Sequence, residues 1–237
     1  MPSSTWTPRA VASKAARTAV RLWRGVEAQH VASTRRLVDN LDEQRVLEEV
    51  LDAAKPPVPA AAVRLHYLLF TPFRYPAPLG SRFRAPIDPG VFYGAESVRT
   101  ACAEVGYWRW RFLRDSPALA MLGPAPQTLF QASVRAIAID LEQKPFSRDA
   151  KLWRDPDDYT ATQAFGRVAR EAGVGLLRYA SVRDPQPGRC GAVLDPGAFS
   201  APKPSGPTET WLLIVTQDYA VWQRDRDAWE FDLRRWK

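Results

Sequence analysis

Cysteine and histidine are scarce in this chain. Its 237 residues include only two of each, Cys102, Cys190, His30 and His66. They lie far apart and no two have the spacing of metal ligands, so we expect no metal site. Nothing argues for a disulfide-rich secreted protein, although one bond between the two cysteines stays open.

Long hydrophobic runs are also lacking. No stretch approaches the roughly 18 apolar residues that a membrane helix needs, and the first residues lack the apolar segment of a secretory signal. Hydrophobic residues make up 46% of the chain and charged residues 25%, which is ordinary for a globular protein. We therefore expect no membrane contact and a cytoplasmic location.

The charge is strongly positive. The 33 Lys and Arg residues outnumber the 26 Asp and Glu, which gives a net charge of +7. Arginine supplies most of it, and its planar fork suits phosphate groups. This balance favours an anionic partner, such as nucleic acid, a phosphorylated small molecule or an acidic protein, but a merely solvated basic surface explains it equally well.

The chain divides at a proline cluster over residues 56–59. Residues 1–58 are predicted to form a helical extension, with one Ala-, Arg- and Leu-rich helix over residues 8–38 and a second over residues 42–51. Residues 59–237 are predicted to form the main domain.

In the main domain, short strand patterns are mixed with helices and long loops. This indicates an α+β fold rather than a doubly wound parallel sheet. Helices are predicted over residues 97–114 and 159–172. Strands are predicted over residues 63–70, 91–93, 129–141, 175–179, 191–194, 210–216, 219–223 and 229–233.

One carboxylate interrupts the apolar stripe of the helix over residues 97–114. The stripe consists of Ala101, Val105, Trp108 and Phe112, and Glu104 falls inside it. A buried carboxylate is costly unless it is paired or hydrogen-bonded, so Glu104 either lines a cavity or pairs with Arg82 or Arg74. A structural ion pair is the favoured reading of Glu104 alone.

Other polar residues stand at the ends of predicted strands and in a loop. Arg82 and Arg84 lie beside Gly80 and Ser81, whose backbone donors would suit a diphosphate, although a solvated basic loop is commoner. Tyr93 ends a strand and points into a cleft or into the core. Ser181 has no nearby His and no Gly-x-Ser-x-Gly turn, so we expect it to orient a substrate rather than attack it. Gln163 offers packing or a polar contact.

The order of these stretches, over residues 65–199, resembles the RES domain, a family of bacterial toxins named for its Arg, Glu and Ser positions. Gly80-Ser81-Arg82-Phe83 matches the family's Gly-Gly-Arg-Trp stretch, Tyr93 its tyrosine and Glu104 its helical glutamate, with steps of eleven residues between them. Tyr179-Ala180-Ser181-Val182-Arg183 matches Tyr-Pro-Ser-x-Arg, and the helix with Gln163 also fits. The chain departs from the family at Phe83 for Trp, Arg84 for Asn and Ala180 for Pro, and Arg74 is the candidate for the family's early arginine.

The resemblance implies a fold similar to ADP-ribosyltransferases, with a split mixed β-sheet, and cleavage of the nicotinamide–ribose bond of NAD. NAD is then a substrate, inorganic phosphate a candidate co-substrate, and no cofactor is needed. The implied partner is an Xre-like antitoxin that blocks the active-site entrance, so nucleic acid is contacted only through that partner. Homo-oligomerisation is left open.

The resemblance also implies roles for the site residues. Glu104 would stabilise the ribose cation, Tyr93 would stack on nicotinamide or ribose, and Ser181 would bind the ribose or the carboxamide. Arg82, with Arg74 or Arg84, would hold the diphosphate, and Arg183 would bind the diphosphate or an incoming phosphate. Gln163 would be a further residue of the NAD-binding site. Three rivals remain: a protein ADP-ribosyltransferase, a non-enzymatic basic binding module without a recognisable nucleic-acid motif, and a degenerate relative that only binds its partner.

Overall fold

The computed structural model describes residues 6–28, 38–75 and 78–236. Its helices are α1 (Pro8–Ala12), α2 (Leu41–Ala53), α3 (Tyr67–Arg74), α4 (Val98–Arg114), α5 (Ala150–Trp153) and α6 (Thr160–Glu171). Its strands are β1 (Ala16–Glu27), β2 (Phe92–Ala95), β3 (Leu122–Asp140), β4 (Leu176–Ala180), β5 (Arg189–Val193), β6 (Ser205–Val215), β7 (Tyr219–Arg224) and β8 (Asp227–Asp232). The expected α+β class is confirmed.

The sheet is mixed and divides at its longest strand, β3. One edge of β3 pairs with all of β1, from Ala16 opposite Ala138 to Glu27 opposite Gln127. The other edge pairs first with β6 and then, in parallel, with β4. From β4 the order runs through β5 and β2 back to β1, which closes a ring of five strands, while β6, β7 and β8 continue as an open arm. The predicted split mixed sheet is therefore confirmed.

Three apolar clusters fix this arrangement. One fills the ring with residues such as Leu22, Phe92 and Phe130, all fully buried. A second packs α4 against the open arm, and a third packs α1, α5 and α6 against the outer face of the ring. Each large side chain removed from water contributes about 1.5–3 kcal/mol, so these clusters position the helices around the sheet.

The helix predicted over residues 8–38 is wrong for residues 16–27, which form β1. Thr18, Val20 and Leu22 turn inward and alternate with more exposed residues, which is the period of a strand. Ala, Arg and Leu favour helices when isolated, but pairing with β3 along the whole length of β1 outweighs that weak preference. Residues 29–37 of the predicted helix lie outside the described residues.

The second predicted helix is confirmed as α2, but its apolar face is exposed. Val46, Val50 and Leu51 are exposed, because no described residue packs closely against them. Because β1 precedes residue 58 and shares a sheet with the later strands, the sheet crosses the expected boundary. The division into residues 1–58 and 59–237 stays a prediction.

The strand predicted over residues 63–70 is also wrong. A short 3-10 turn, Ala60–Ala62, is followed by α3, whose N-cap is His66 with Nδ1 accepting the Leu68 N–H at 3.3 Å. An apolar run of this length cannot be assigned by periodicity alone. Here α3 buries Leu69 against the end of the ring, which decides for a helix.

The other elements follow the predicted pattern. The Ser97 hydroxyl caps α4 by accepting the Thr100 N–H at 3.1 Å, and α6 ends just before Gly173, which has a φ of +72°. β3 begins at Leu122, earlier than expected. Both cysteines are free and buried, and none of the helices in the described ranges could cross a lipid bilayer.

Candidate active site

A cavity of about 390 Å³ lies between α4 and the outer face of the strand ring. The loop at residues 80–82 and the segment after β4 complete its wall. Charged and hydrogen-bonding side chains in the lining include Glu104, Arg24, Arg82, Arg183, Tyr93, Tyr159 and Cys190. Aromatic and small residues, including Trp23, Gly25, Tyr107 and Trp108, fill the remaining surface.

The buried face of α4 differs from the apolar stripe predicted from the sequence. Ala101 is buried, but Trp108 and Phe112 are 48% and 54% exposed, so the stripe was wrong at its C-terminal half. The buried face instead centres on Tyr107 and Trp110, which pack against the open arm of the sheet. Glu104 lies at the border of that face, and its carboxylate therefore reaches the cavity.

No arginine forms an ion pair with Glu104 among the described residues; two neutral donors hold the carboxylate. The Ser181 hydroxyl donates to Oε1 at 2.5 Å, and the Cys190 thiol approaches the same oxygen at 3.7 Å. Burial and the nearby Glu104 charge raise the pKa of Cys190, which keeps the thiol protonated as a donor.

Ser181 is fixed from both sides. Its Oγ accepts the backbone N–H groups of Arg183 at 3.2 Å and Asp184 at 3.1 Å. These bonds occupy the oxygen and direct the hydroxyl proton toward Glu104. The geometry therefore makes Ser181 a group that positions the carboxylate, and the expected bond from its hydroxyl to a substrate stays a prediction.

Tyr93 and Gln163 hold the loop that carries Arg82. The Tyr93 phenol accepts the Phe83 N–H at 2.9 Å and lies 2.8 Å from the Ser81 hydroxyl, while the Gln163 amide donates to the Ser81 carbonyl at 3.0 Å. Burial raises the pKa of Tyr93. Tyr93 lines the cavity, but Gln163 is among the residues behind it. The phenol oxygen is thus committed to the loop, and only the ring is available for stacking.

Arg82 enters the cavity wall with part of its guanidinium already bound. Its Nη1 donates to the carbonyls of Trp153 at 2.9 Å and Asp155 at 2.8 Å, and the group lies 4.7 Å from the Tyr159 ring centroid. Nε and Nη2 have no recorded partner among the described residues. A rigid guanidinium with spare donors suits an anionic ligand.

Arg183 lies on the Tyr107 ring, 3.4 Å from its centroid. Its guanidinium donates to the Pro156 carbonyl, and its own carbonyl accepts the Trp236 indole N–H at 2.8 Å. The hydrogen bond from Trp236, near the end of the described chain, therefore holds the backbone of Arg183 in place.

Arg24 on β1 is a cavity residue that the sequence analysis missed. Its Nη1 donates to the Tyr93 carbonyl at 2.8 Å, its guanidinium lies over Phe92, and its Nε is buried without a partner among the described residues. Desolvation by burial lowers the pKa of Arg24 to about 10. A bound anion would supply both the missing partner and the missing charge compensation. The alternating pattern of β1 was the signal that could have revealed it.

Arg74 and Arg84, both expected to hold diphosphate, lie outside the cavity lining. Arg74 is on α3, where its Nε donates to the Pro56 carbonyl at 2.5 Å. Arg84 is buried, with Nε donating to the Asp88 carbonyl at 3.0 Å. Both stabilise backbone turns, because buried guanidinium donors need acceptors. Arg24, not Arg74, lines the cavity.

The cavity thus combines one carboxylate with three guanidinium groups among its described lining residues. The excess positive charge suits a ligand with two phosphates, and the single carboxylate can stabilise a cation that develops nearby. Walls that exclude water strengthen both effects.

Comparison with known proteins gives a family and a likeness to solved structures. The model of the RES domain matches residues 58–216, about two-thirds of the chain. One chain in the crystal structure of the M. tuberculosis MbcT–MbcA toxin–antitoxin complex is similar to it, with 14% sequence identity and a TM-score of 0.49, over 86% of this chain and 90% of that one. No curated protein sequence matches.

Proposed function

Because this chain belongs to the RES domain family, we propose that it cleaves the nicotinamide–ribose bond of NAD and acts as the toxin of a toxin–antitoxin pair. One observation carries the proposal: Glu104, positioned by Ser181, faces a cavity that also holds Arg24, Arg82 and Arg183. That set of charges matches a dinucleotide with a cleavable cationic base.

Loss of nicotinamide leaves positive charge on the ribose in the transition state. Nicotinamide departs with the electrons of the glycosidic bond and becomes neutral, while C1 of the ribose and the ring oxygen share the charge. Glu104 stabilises this charge and accepts hydrogen bonds from the ribose hydroxyls. Its second oxygen, Oε2, has no recorded partner among the described residues and is free to do so.

The guanidinium groups bind the diphosphate on the same wall. Arg82 and Arg183 are both held by backbone carbonyls, so they lose little side-chain freedom when an anion binds. Arg24 offers a buried Nε without a partner. Together they hold the substrate so that its ribose lies beside Glu104.

The reaction is completed when an acceptor attacks C1 of the ribose and forms a new bond there. Water gives ADP-ribose and releases one proton, whereas inorganic phosphate gives ADP-ribose 1″-phosphate. The inferred partner is an Xre-like antitoxin that covers the cavity mouth. Trp108 lines the cavity, and Phe112 lies one turn further along α4; both are about half exposed and offer the antitoxin an apolar contact.

The test is product analysis with the purified chain and isotope-labelled NAD, with and without inorganic phosphate. We expect free nicotinamide together with ADP-ribose, or with its 1″-phosphate when phosphate is present. Label fixed on protein would instead indicate a protein ADP-ribosyltransferase. Intact NAD, combined with salt-dependent DNA binding, would favour a non-enzymatic binding module.

A further inference from the structure

A second cavity, of about 290 Å³, adjoins the first. Arg24 lines both cavities. The second one is enclosed by the end of β1, one side of α3 and the neighbouring parts of β3 and β6. No residue of this cavity except Arg24 takes part in the proposed cleavage.

The walls of the second cavity are polar but nearly uncharged. Hydroxyl groups come from Tyr67, Thr71, Thr128 and Thr210, and Glu27 supplies a single carboxylate that is ion-paired with Arg109. Such a lining suits an uncharged ligand with several hydrogen-bonding atoms and a flat apolar surface. The ion pair with Arg109 neutralises Glu27, so this lining offers no free charge apart from Arg24.

Arg24 at the border has the opposite preference. Its Nη1 is bound to the Tyr93 carbonyl, and its buried Nε still lacks an acceptor among the described residues. An anionic group is therefore favoured at Arg24, between the two cavities. A ligand that spans both cavities would therefore place a cationic leaving group beside Glu104 and an anionic group at Arg24. Its neutral heterocycle and the attached sugar would lie in the second cavity.

We propose that the second cavity binds the adenosine half of NAD, with Arg24 on the diphosphate between the two halves. This inference rests on the proposed function for the identity of the whole ligand. Glu27 accepts hydrogen bonds from the adenosine ribose hydroxyls, and the Tyr67 ring, half exposed, lies against the base.

A bulky side chain in the second cavity tests the assignment. Thr71 is exposed on α3, so Thr71→Trp fills the cavity without entering the core; Thr210→Trp fills it from β6 if the first variant fails to fold. Thr208→Trp, on an exposed β6 position outside both cavities, is the matched control. We expect Thr71→Trp to raise KM for NAD about tenfold and to leave cleavage of nicotinamide mononucleotide, which lacks adenosine, unchanged. Equal effects on both substrates, or none on NAD, would overturn the inference.

Calorimetric titration with AMP separates this inference from the proposed function. The wild-type chain and Thr208→Trp should bind AMP, and Thr71→Trp should bind it at least about tenfold more weakly. AMP binding that survives in Thr71→Trp and in Thr210→Trp, or that is absent from the wild type, would overturn the adenosine site even if NAD is cleaved. AMP binding lost in both filled variants, in a chain that does not cleave NAD, would support the adenosine site while refuting the proposed activity.

Discussion

Replacement of Glu104 by glutamine changes the charge of the cavity while keeping its shape. Glutamine retains an Oε1 that accepts the Ser181 hydroxyl, so the bond recorded at 2.5 Å has a neutral counterpart. Hydrogen bonds to neutral acceptors contribute about 0.5–1.5 kcal/mol and those to charged groups somewhat more, so we expect the free energy of unfolding to change by only about 1 kcal/mol. Glu104→Gln therefore separates catalysis from folding.

The size of the catalytic loss follows from the charge that is removed. Two unit charges about 4 Å apart attract by roughly 4 kcal/mol at an effective dielectric constant of about 20. The ribose holds only part of a charge in the transition state, which leaves about 2–4 kcal/mol. Since each 1.36 kcal/mol is a factor of ten in rate, kcat for NAD cleavage should fall by about 30-fold to 1000-fold.

The assay follows nicotinamide release at saturating NAD, beside thermal unfolding of each variant. Glu171→Gln, an exposed change at the end of α6 outside the cavity, is the matched control and should keep both values. Ser181→Ala should give an intermediate loss of kcat, because the carboxylate remains but loses its fixed donor. A folded Glu104→Gln protein that keeps kcat within about threefold of wild type would refute the electrostatic reasoning, since charge removal must cost more than that.

Three further outcomes are expected. Tyr93→Phe removes the acceptor of the Phe83 N–H and should lower the free energy of unfolding by about 1–3 kcal/mol in chemical denaturation, with a raised KM for NAD; unchanged values would show that the phenol does not hold the loop. Trp236→Phe keeps an aromatic ring but loses the donor to the Arg183 carbonyl, so KM for NAD should rise several-fold with kcat nearly constant; a change in thermal stability alone would count against a positioning role. Burial raises the folded pKa of Cys190 above its unfolded value, so at pH 9 iodoacetamide should label it slowly in the native chain and fast in urea, as read by mass spectrometry; rapid native labelling would contradict this.

Much of the outer fold was predictable because local patterns and tertiary packing agree there. The helix over residues 97–114 was predicted from its apolar positions, and the C-terminal strands followed from short runs of strand-forming residues. Glu104 was recognised as a cavity candidate because a carboxylate interrupts an apolar helix face. The prediction of which side of the helix is buried was wrong in part, since Trp108 and Phe112 are apolar yet about half exposed.

The cavity itself was only partly predictable. Arg82, Arg183 and Tyr93 were named from short stretches that carry their own local signals, as was Ser181, which contacts Glu104 without lining the cavity. Arg24 instead lies in a segment that was expected to be helical. The bond from the Ser181 hydroxyl to Glu104 joins residues 77 positions apart. No local pattern encodes which atom of such a pair accepts a bond and which remains free for a ligand.

By itself the sequence determined the residue types available, their order along the chain and most of the helices and strands, because those depend on composition and period within a few residues. The tertiary structure alone decided that residues 16–27 form a strand, since β3 supplies a partner edge more than a hundred residues away. It also decided which arginines line the cavity. Arg24 lines the cavity and Arg74 does not. The reason is the closure of the strand ring, because it, rather than any neighbouring residue in the sequence, determines the surroundings of each guanidinium group.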